Sequence, residues 1–128
     1  MTKLLDLICL AIVLLLTFCV YSYVHASEYS DEQIVDAIYH AEGGTKAKKP
    51  FGILSVPCDG YDDCRKVCLN TVRNNRVRYK KWGYKKHPTY LAFLASRYAP
   101  TEGATNDPNN LNKNWLKNVE AILEGNKR

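Results

Sequence analysis

The stretch IVDAIYHAEGGTKAKKPFGILS, residues 34–55, decides how the rest of the chain is read. Ile34, Val35, Ile38 and Ala41 recur at helical spacing and mark the buried face of an amphipathic helix. Glu42 follows Ile38 by four residues and Val35 by seven, so it projects from the edge of that face. Gly43 and Gly44 come next, and either can take the left-handed conformation that ends a helix. Glu42 therefore stands in a last turn, where the helix dipole and partial desolvation both disfavour a carboxylate. Both effects raise its pKa, as a general acid at neutral pH requires. Most Glu side chains near helix ends are solvated surface groups. Lys or Arg is the ordinary choice at this end, however, and a locally unfavourable residue points to function.

Upstream, Ser30-Asp31-Glu32-Gln33 has the form of a capping box, with Ser30 as cap and Gln33 reaching back to it. The first helix of the folded body is thus predicted over Asp31–Glu42. Before it, Lys3 opens a short basic region and Leu7–Val20 is almost purely apolar. Val24-His25-Ala26 offers a cleavage site with Ser27 as the new N-terminus, the pattern of a secretory signal peptide. Residues 1–26 are read as that signal and 27–128 as one helical domain. The alternative is a retained membrane anchor over residues 7–24, which approaches spanning length. Cys19 is not a lipoprotein cysteine, because Phe18 precedes it where a small residue is needed.

Downstream, Thr45–Pro50 is a basic loop, and Phe51–Val56 is a short apolar run that is either extended or a helical turn. Pro57, Asp59 and Gly60 make a turn, with Asp62 or Asp63 capping the next helix. That helix is predicted over Asp63–Lys81, with Val67, Cys68, Thr71, Val72, Asn75 and Tyr79 inward. A third helix is predicted over Pro88–Tyr98. A last one runs over Leu111–Leu123, with Leu111, Trp115, Leu116, Val119, Ile122 and Leu123 as its core face. No repeat and no strand ladder emerges. The expected fold class is all-α, a compact bundle of four or five helices with functional loops between them.

The chain has 128 residues, 46% hydrophobic and 24% charged, which suits one globular domain. Its formal charge of +5 favours an anionic partner. For an exported protein that means an acidic surface or cell-wall polymer rather than nucleic acid, and the basic face of Asp63–Lys81 would draw the protein to such an anionic partner. Beyond the leader, Cys58, Cys64 and Cys68 remain. A disulfide suits an oxidising compartment. Cys64 and Cys68 lie one helical turn apart, too far to bridge, so Cys58 pairs with one of them. Cys58–Cys64 is the expected pair, leaving Cys68 a buried thiol. No fourth ligand lies at a zinc spacing, so no metal and no cofactor are expected.

A helix-terminal Glu42-Gly43, a turn Gly52-Ile53-Leu54-Ser55, and Arg97-Tyr98-Ala99 at the end of a buried helix occur in that order. The order resembles the lysozyme-like superfamily, in its soluble lytic transglycosylase and goose-type lysozyme branch. There the Glu is followed by Ser, the turn is Gly-Leu-Met-Gln, and the third motif is Ala-Tyr-Asn. Gly43, Ser55 and Ala99 depart from that pattern. The resemblance implies a lysozyme-like helical domain, a monomer, that cleaves peptidoglycan glycan strands. It makes Glu42 the catalytic residue and Gly52, Ile53, Leu54, Ser55 and Tyr98 substrate-binding. An ordinary glycosidase needs two carboxylates flanking the bond. Only Glu42 stands at a motif position, with Asp59, Asp62 and Asp63 as weaker candidates for a second acid. Substrate assistance by the sugar N-acetyl group removes the need, with Glu42 acting first as acid and then as base. The attacking hydroxyl is internal in a transglycosylase and comes from water in a hydrolase, and the sequence leaves both open.

Tyr98 is either a hydrogen-bonding partner of substrate or of Glu42, or a core phenol. Trp115 is read as core by register, Trp82 as core or sugar platform, and His40 as surface. Two other functional classes compete with the enzyme. One is a non-catalytic glycan-binding or interaction module on the same fold, which the motif substitutions favour. The other is a basic nucleic-acid binder built on Arg65–Lys81, the weaker because charged helix faces are usually just solvated.

Overall fold

Ser30 starts the folded body as its local chemistry requires. Its hydroxyl accepts the Gln33 amide, and the Gln33 side chain accepts the Ser30 N–H. The computed structural model describes residues 1–26, 29–105 and 107–126, with the side chains of 19–26 outside the description. The chain is all-α. Its helices are α1 (Thr2–Ala26), α2 (Asp31–Ala41), α3 (Gly60–Lys81), α4 (Tyr90–Tyr98) and α5 (Trp115–Gly125), and no strand occurs among the described residues. Short 3₁₀ turns at Gly44–Lys46, Pro50–Gly52, Gly83–Lys85 and Asn112–Asn114 join them.

α2 is the central element. It packs on both α3 and α5, and α4 closes the body against the same two helices. Ile34, Val35 and Ile38 of α2, Cys68 and Val72 of α3, Leu94 of α4 and Val119 of α5 are all at or near zero exposure. Each large apolar side chain buried in this way contributes about 1.5–3 kcal/mol. The outer face of α2 carries acids that meet arginines of α3. Asp36 pairs with Arg65 at 3.1 Å, Glu32 with Arg73 at 3.2 Å, and Asp31 with Arg76 at 2.6 Å. The Arg76 guanidinium also lies 4.3 Å over the Tyr90 ring, which ties α4 to the same seam.

Cys58 is bonded to Cys64, and Cys68 is a buried free thiol, as expected from the sequence. The bridge closes a short loop, with a sequence separation of 6, and stabilises by about 2 kcal/mol. The described side chains of α1 are exposed, and α1 packs on no other helix among the described residues. No helix among the described residues is long and apolar enough to cross a membrane. The expected cleavage before Ser27 and the side chain of Cys19 lie outside the described residues.

Three local expectations change. α3 begins at Gly60 rather than Asp63, and its N-cap is Asp59. Asp63 reaches back instead, its Oδ2 accepting the Asp59 N–H at 3.0 Å. α4 starts at Tyr90, because Thr89 and not the region of Pro88 caps it, through Ala92 N–H. Leu111 is not a core residue: it is 62% exposed. The Asp107 carboxylate accepts the N–H groups of both Leu111 and Asn112, and a 3₁₀ turn follows. The α-helical register therefore begins only at Trp115, and Leu111 falls off its face.

Candidate functional site

Two residues past the end of α2, the chain has already turned away. Glu42 keeps the last helical bond, its N–H to Ile38 C=O at 2.9 Å, and Gly43 and Gly44 then take φ of +104° and +57°. The Glu42 side chain is thereby left at the helix end, half-buried, facing the Pro50–Gly52 turn. A Cβ built on Gly52 would stand 2.6 Å from both Cδ and Oε2 of Glu42. Only glycine allows this approach, and Gly52 is also left-handed, at φ +66°. On its other side Glu42 accepts a hydrogen bond from the indole N–H of Trp115, Nε1 to Oε1 at 2.9 Å. Burial raises the Glu42 pKa from its ordinary value, and the Trp115 bond partly opposes it.

Phe51 precedes Gly52 and is itself left-handed, at φ +64°, although its ring is fully buried. That ring packs against Tyr39 and Tyr61, with centroids 5.1 and 5.6 Å away. Its carbonyl accepts the Tyr98 hydroxyl. Tyr98 also lies 3.7 Å from the Cys68 sulfur and stacks on Trp115, with centroids 5.1 Å apart. Burial raises the pKa of both groups, that of Cys68 to about 11, so both stay protonated. Tyr98 therefore does not bond Glu42. Its hydroxyl is committed inward, and its ring holds the Trp115 indole that holds Glu42.

A cleft of about 200 Å³ opens beside this arrangement. Gly52, Ile53, Leu54 and Ser55 form one wall, and Tyr98 belongs to another. The structure thus brings Gly52, Ile53, Leu54, Ser55 and Tyr98 to one cleft, without Ala99, and Gly52 is shared between the cleft and the Glu42 carboxyl. Ile53 is buried, whereas Leu54 and Ser55 are exposed at the rim. No carboxylate lines the cleft. Asp59, Asp62 and Asp63 are exposed near the start of α3, where Asp63 serves as a backbone cap. Trp82 is 41% exposed and packs edge-on against Phe93. His40 is exposed. Among the described residues no group of three or more His, Cys, Asp or Glu is placed to hold a metal ion.

Three residues of the site escaped the sequence reading in their present roles. Trp115 is core by register, yet its N–H is the partner of Glu42. The signal was available, since a buried indole N–H needs an acceptor. Thr71 and Arg97 also line the cleft. Arg97 stands in the Arg97-Tyr98-Ala99 motif without a role assigned to it, and nothing in the local pattern of Thr71 announces its place, because α3 meets the cleft from a distant part of the sequence. Comparison with family models, with curated proteins and with solved structures finds no match to this chain.

Proposed function

We propose that this chain is an exported, peptidoglycan-cleaving glycosidase with Glu42 as its single acid/base. The observation that carries the reading is the Glu42 carboxyl. It is half-buried, its pKa is raised, Trp115 orients it, and it abuts the glycine that forms a cleft wall. A carboxyl in that setting holds its proton closer to neutrality and can give it to a glycosidic oxygen. Glu42 reaches the cleft only through its contact with Gly52, and no carboxylate lines the cleft itself, so stabilisation of the sugar cation falls to the substrate's own N-acetyl group. Deprotonated Glu42 then acts as base toward the attacking hydroxyl, internal or from water. Residues 1–26 would direct export.

One observation favours the second reading, a non-catalytic glycan-binding module. The Tyr98 hydroxyl, which the resemblance assigns to substrate, is committed to the Phe51 carbonyl. Digestion of purified walls by the chain and by Glu42→Gln separates the two. The enzyme reading expects lysis by the parent and at least a roughly hundredfold loss in the variant, with unfolding temperature and wall binding retained. Wall binding without lysis by the parent, or equal lysis by both proteins, overturns it. Mass spectrometry of the fragments assigns the reaction: anhydro ends mean transglycosylation and reducing ends mean hydrolysis.

A further inference from the structure

The cleft has one cationic lining residue, Arg97, that the cleavage chemistry does not use. Arg97 lines it from the last turn of α4, and Thr71 of α3 and Ser55 line the same cleft. Arginine in a last helical turn is ordinary in itself. Its surroundings set this one apart. Arg65, Arg73 and Arg76 each pair with an acid of α2, whereas Arg97 has no ion pair among the described residues. From Cys64 to Thr101 the sequence contains no Asp or Glu at all. The Thr71 hydroxyl already donates to Val67 C=O at 2.9 Å, so it can only accept from a ligand. With the Tyr98 hydroxyl given to Phe51 C=O, the side-chain donors left in the lining are the forked guanidinium of Arg97 and the hydroxyl of Ser55. A planar guanidinium fork, with a hydroxyl donor lining the same cleft, suits a carboxylate, which accepts at both oxygens.

We propose that Arg97, with Ser55, is a carboxylate subsite that selects glycan strands bearing a free carboxylate. The group is either the lactyl carboxylate of a muramoyl residue stripped of its peptide or a carboxylate of the stem peptide. The proposal rests on the glycan reading of the cleft but not on cleavage by Glu42. The test uses the full chain carrying Glu42→Gln, so that ligands bind without turnover. Three muramoyl tetrasaccharides of equal length are titrated: one with free lactyl carboxylates, one with those groups capped as methylamides, and one carrying stem peptides. A carboxylate-bearing ligand is expected to bind about tenfold tighter than the capped one, a difference of one charge-assisted contact. Arg97→Gln should erase that preference, and Arg97→Lys should keep part of it. Preference for the first ligand assigns the lactyl group, and preference for the third assigns the peptide. Equal affinity for all three, no binding of any, or a preference that survives Arg97→Gln overturns the subsite. Wall digestion by the parent chain, run in parallel, keeps the two ideas separable. Lysis without Arg97-dependent selectivity removes only the subsite. Selectivity without lysis removes only the glycosidase.

Discussion

Gly52→Ala probes the junction between the cleft wall and the acid. The new Cβ meets two penalties. It sits on a backbone at φ +66°, which costs an L-residue about 1 kcal/mol. It also lands 2.6 Å from Glu42 Cδ and Oε2. The Glu42 side chain is flexible, so it would swing away rather than force the backbone. Swinging away breaks its bond to Trp115 and leaves a buried indole N–H without a partner, for about 1 kcal/mol more. The sum, about 2 kcal/mol, lowers the unfolding temperature by about 8–16 °C in a domain of this size. Gly60→Ala is the internal control. Gly60 has nearly the same φ, +70°, but nothing within 4 Å of its added Cβ, so only the first penalty applies. Its expected fall is about 4–8 °C. Wall lysis should follow Glu42 and not stability: lost by about a hundredfold or more in Gly52→Ala, and retained in Gly60→Ala. Calorimetry and wall turbidity on the two variants decide the matter. Equal melting temperatures, with lysis within about threefold of each other, would refute the argument that Gly52 holds the acid in place.

Glu42→Gln should flatten part of the pH dependence of stability. The folded pKa of Glu42 lies above its unfolded value near 4.5, so its proton favours the folded state. That contribution is complete below the unfolded value and disappears as pH rises through the folded one. The variant should therefore gain on the parent across this interval when melting temperature is followed from acid to neutral pH, and parallel curves would contradict it. Trp115→Phe keeps a ring to stack on Tyr98 but removes the donor that lowers the Glu42 pKa. The limb of the pH–lysis profile that reports Glu42 should move to higher pH, and an unmoved limb would show that the indole does not govern the acid. Wall association should weaken from low to high salt, because Arg78, Lys80, Lys81, Lys85 and Lys86 cluster at the end of α3 with no acid nearby in sequence. A flat response in a pelleting assay would remove that idea.

The helices were legible wherever local chemistry and the apolar period agreed. Ser30 and Gln33 set the start of α2, and Gly43 with Gly44 set its end, without help from elsewhere in the chain. Leu111 misled because its spacing to Trp115 fits a helix, whereas the Asp107 carboxylate imposes a tighter turn between them. The onset of α3 was missed because Gly60 and Tyr61 carry no helix signal, and the bond that fixes it comes from Asp63, inside the helix. At the site, the position of Glu42 followed from its own neighbours. Its partners did not: Trp115 is 73 residues away, and Phe51 meets Tyr98 across 47. Periodicity identifies which face is buried, but not which buried group a particular indole or phenol will find.

Phe51 narrows what mutation can do to this protein. Its backbone favours glycine or asparagine, while its surroundings require a large aromatic ring between Tyr39 and Tyr61. Glycine would relax the backbone and leave a hole; asparagine would fit the torsion and put an amide among rings; leucine would fill space and keep the torsional penalty. Every single replacement thus trades one defect for another. Drift at position 51 should be slow, and an escape from phenylalanine should arrive together with a compensating change at Tyr39 or Tyr61.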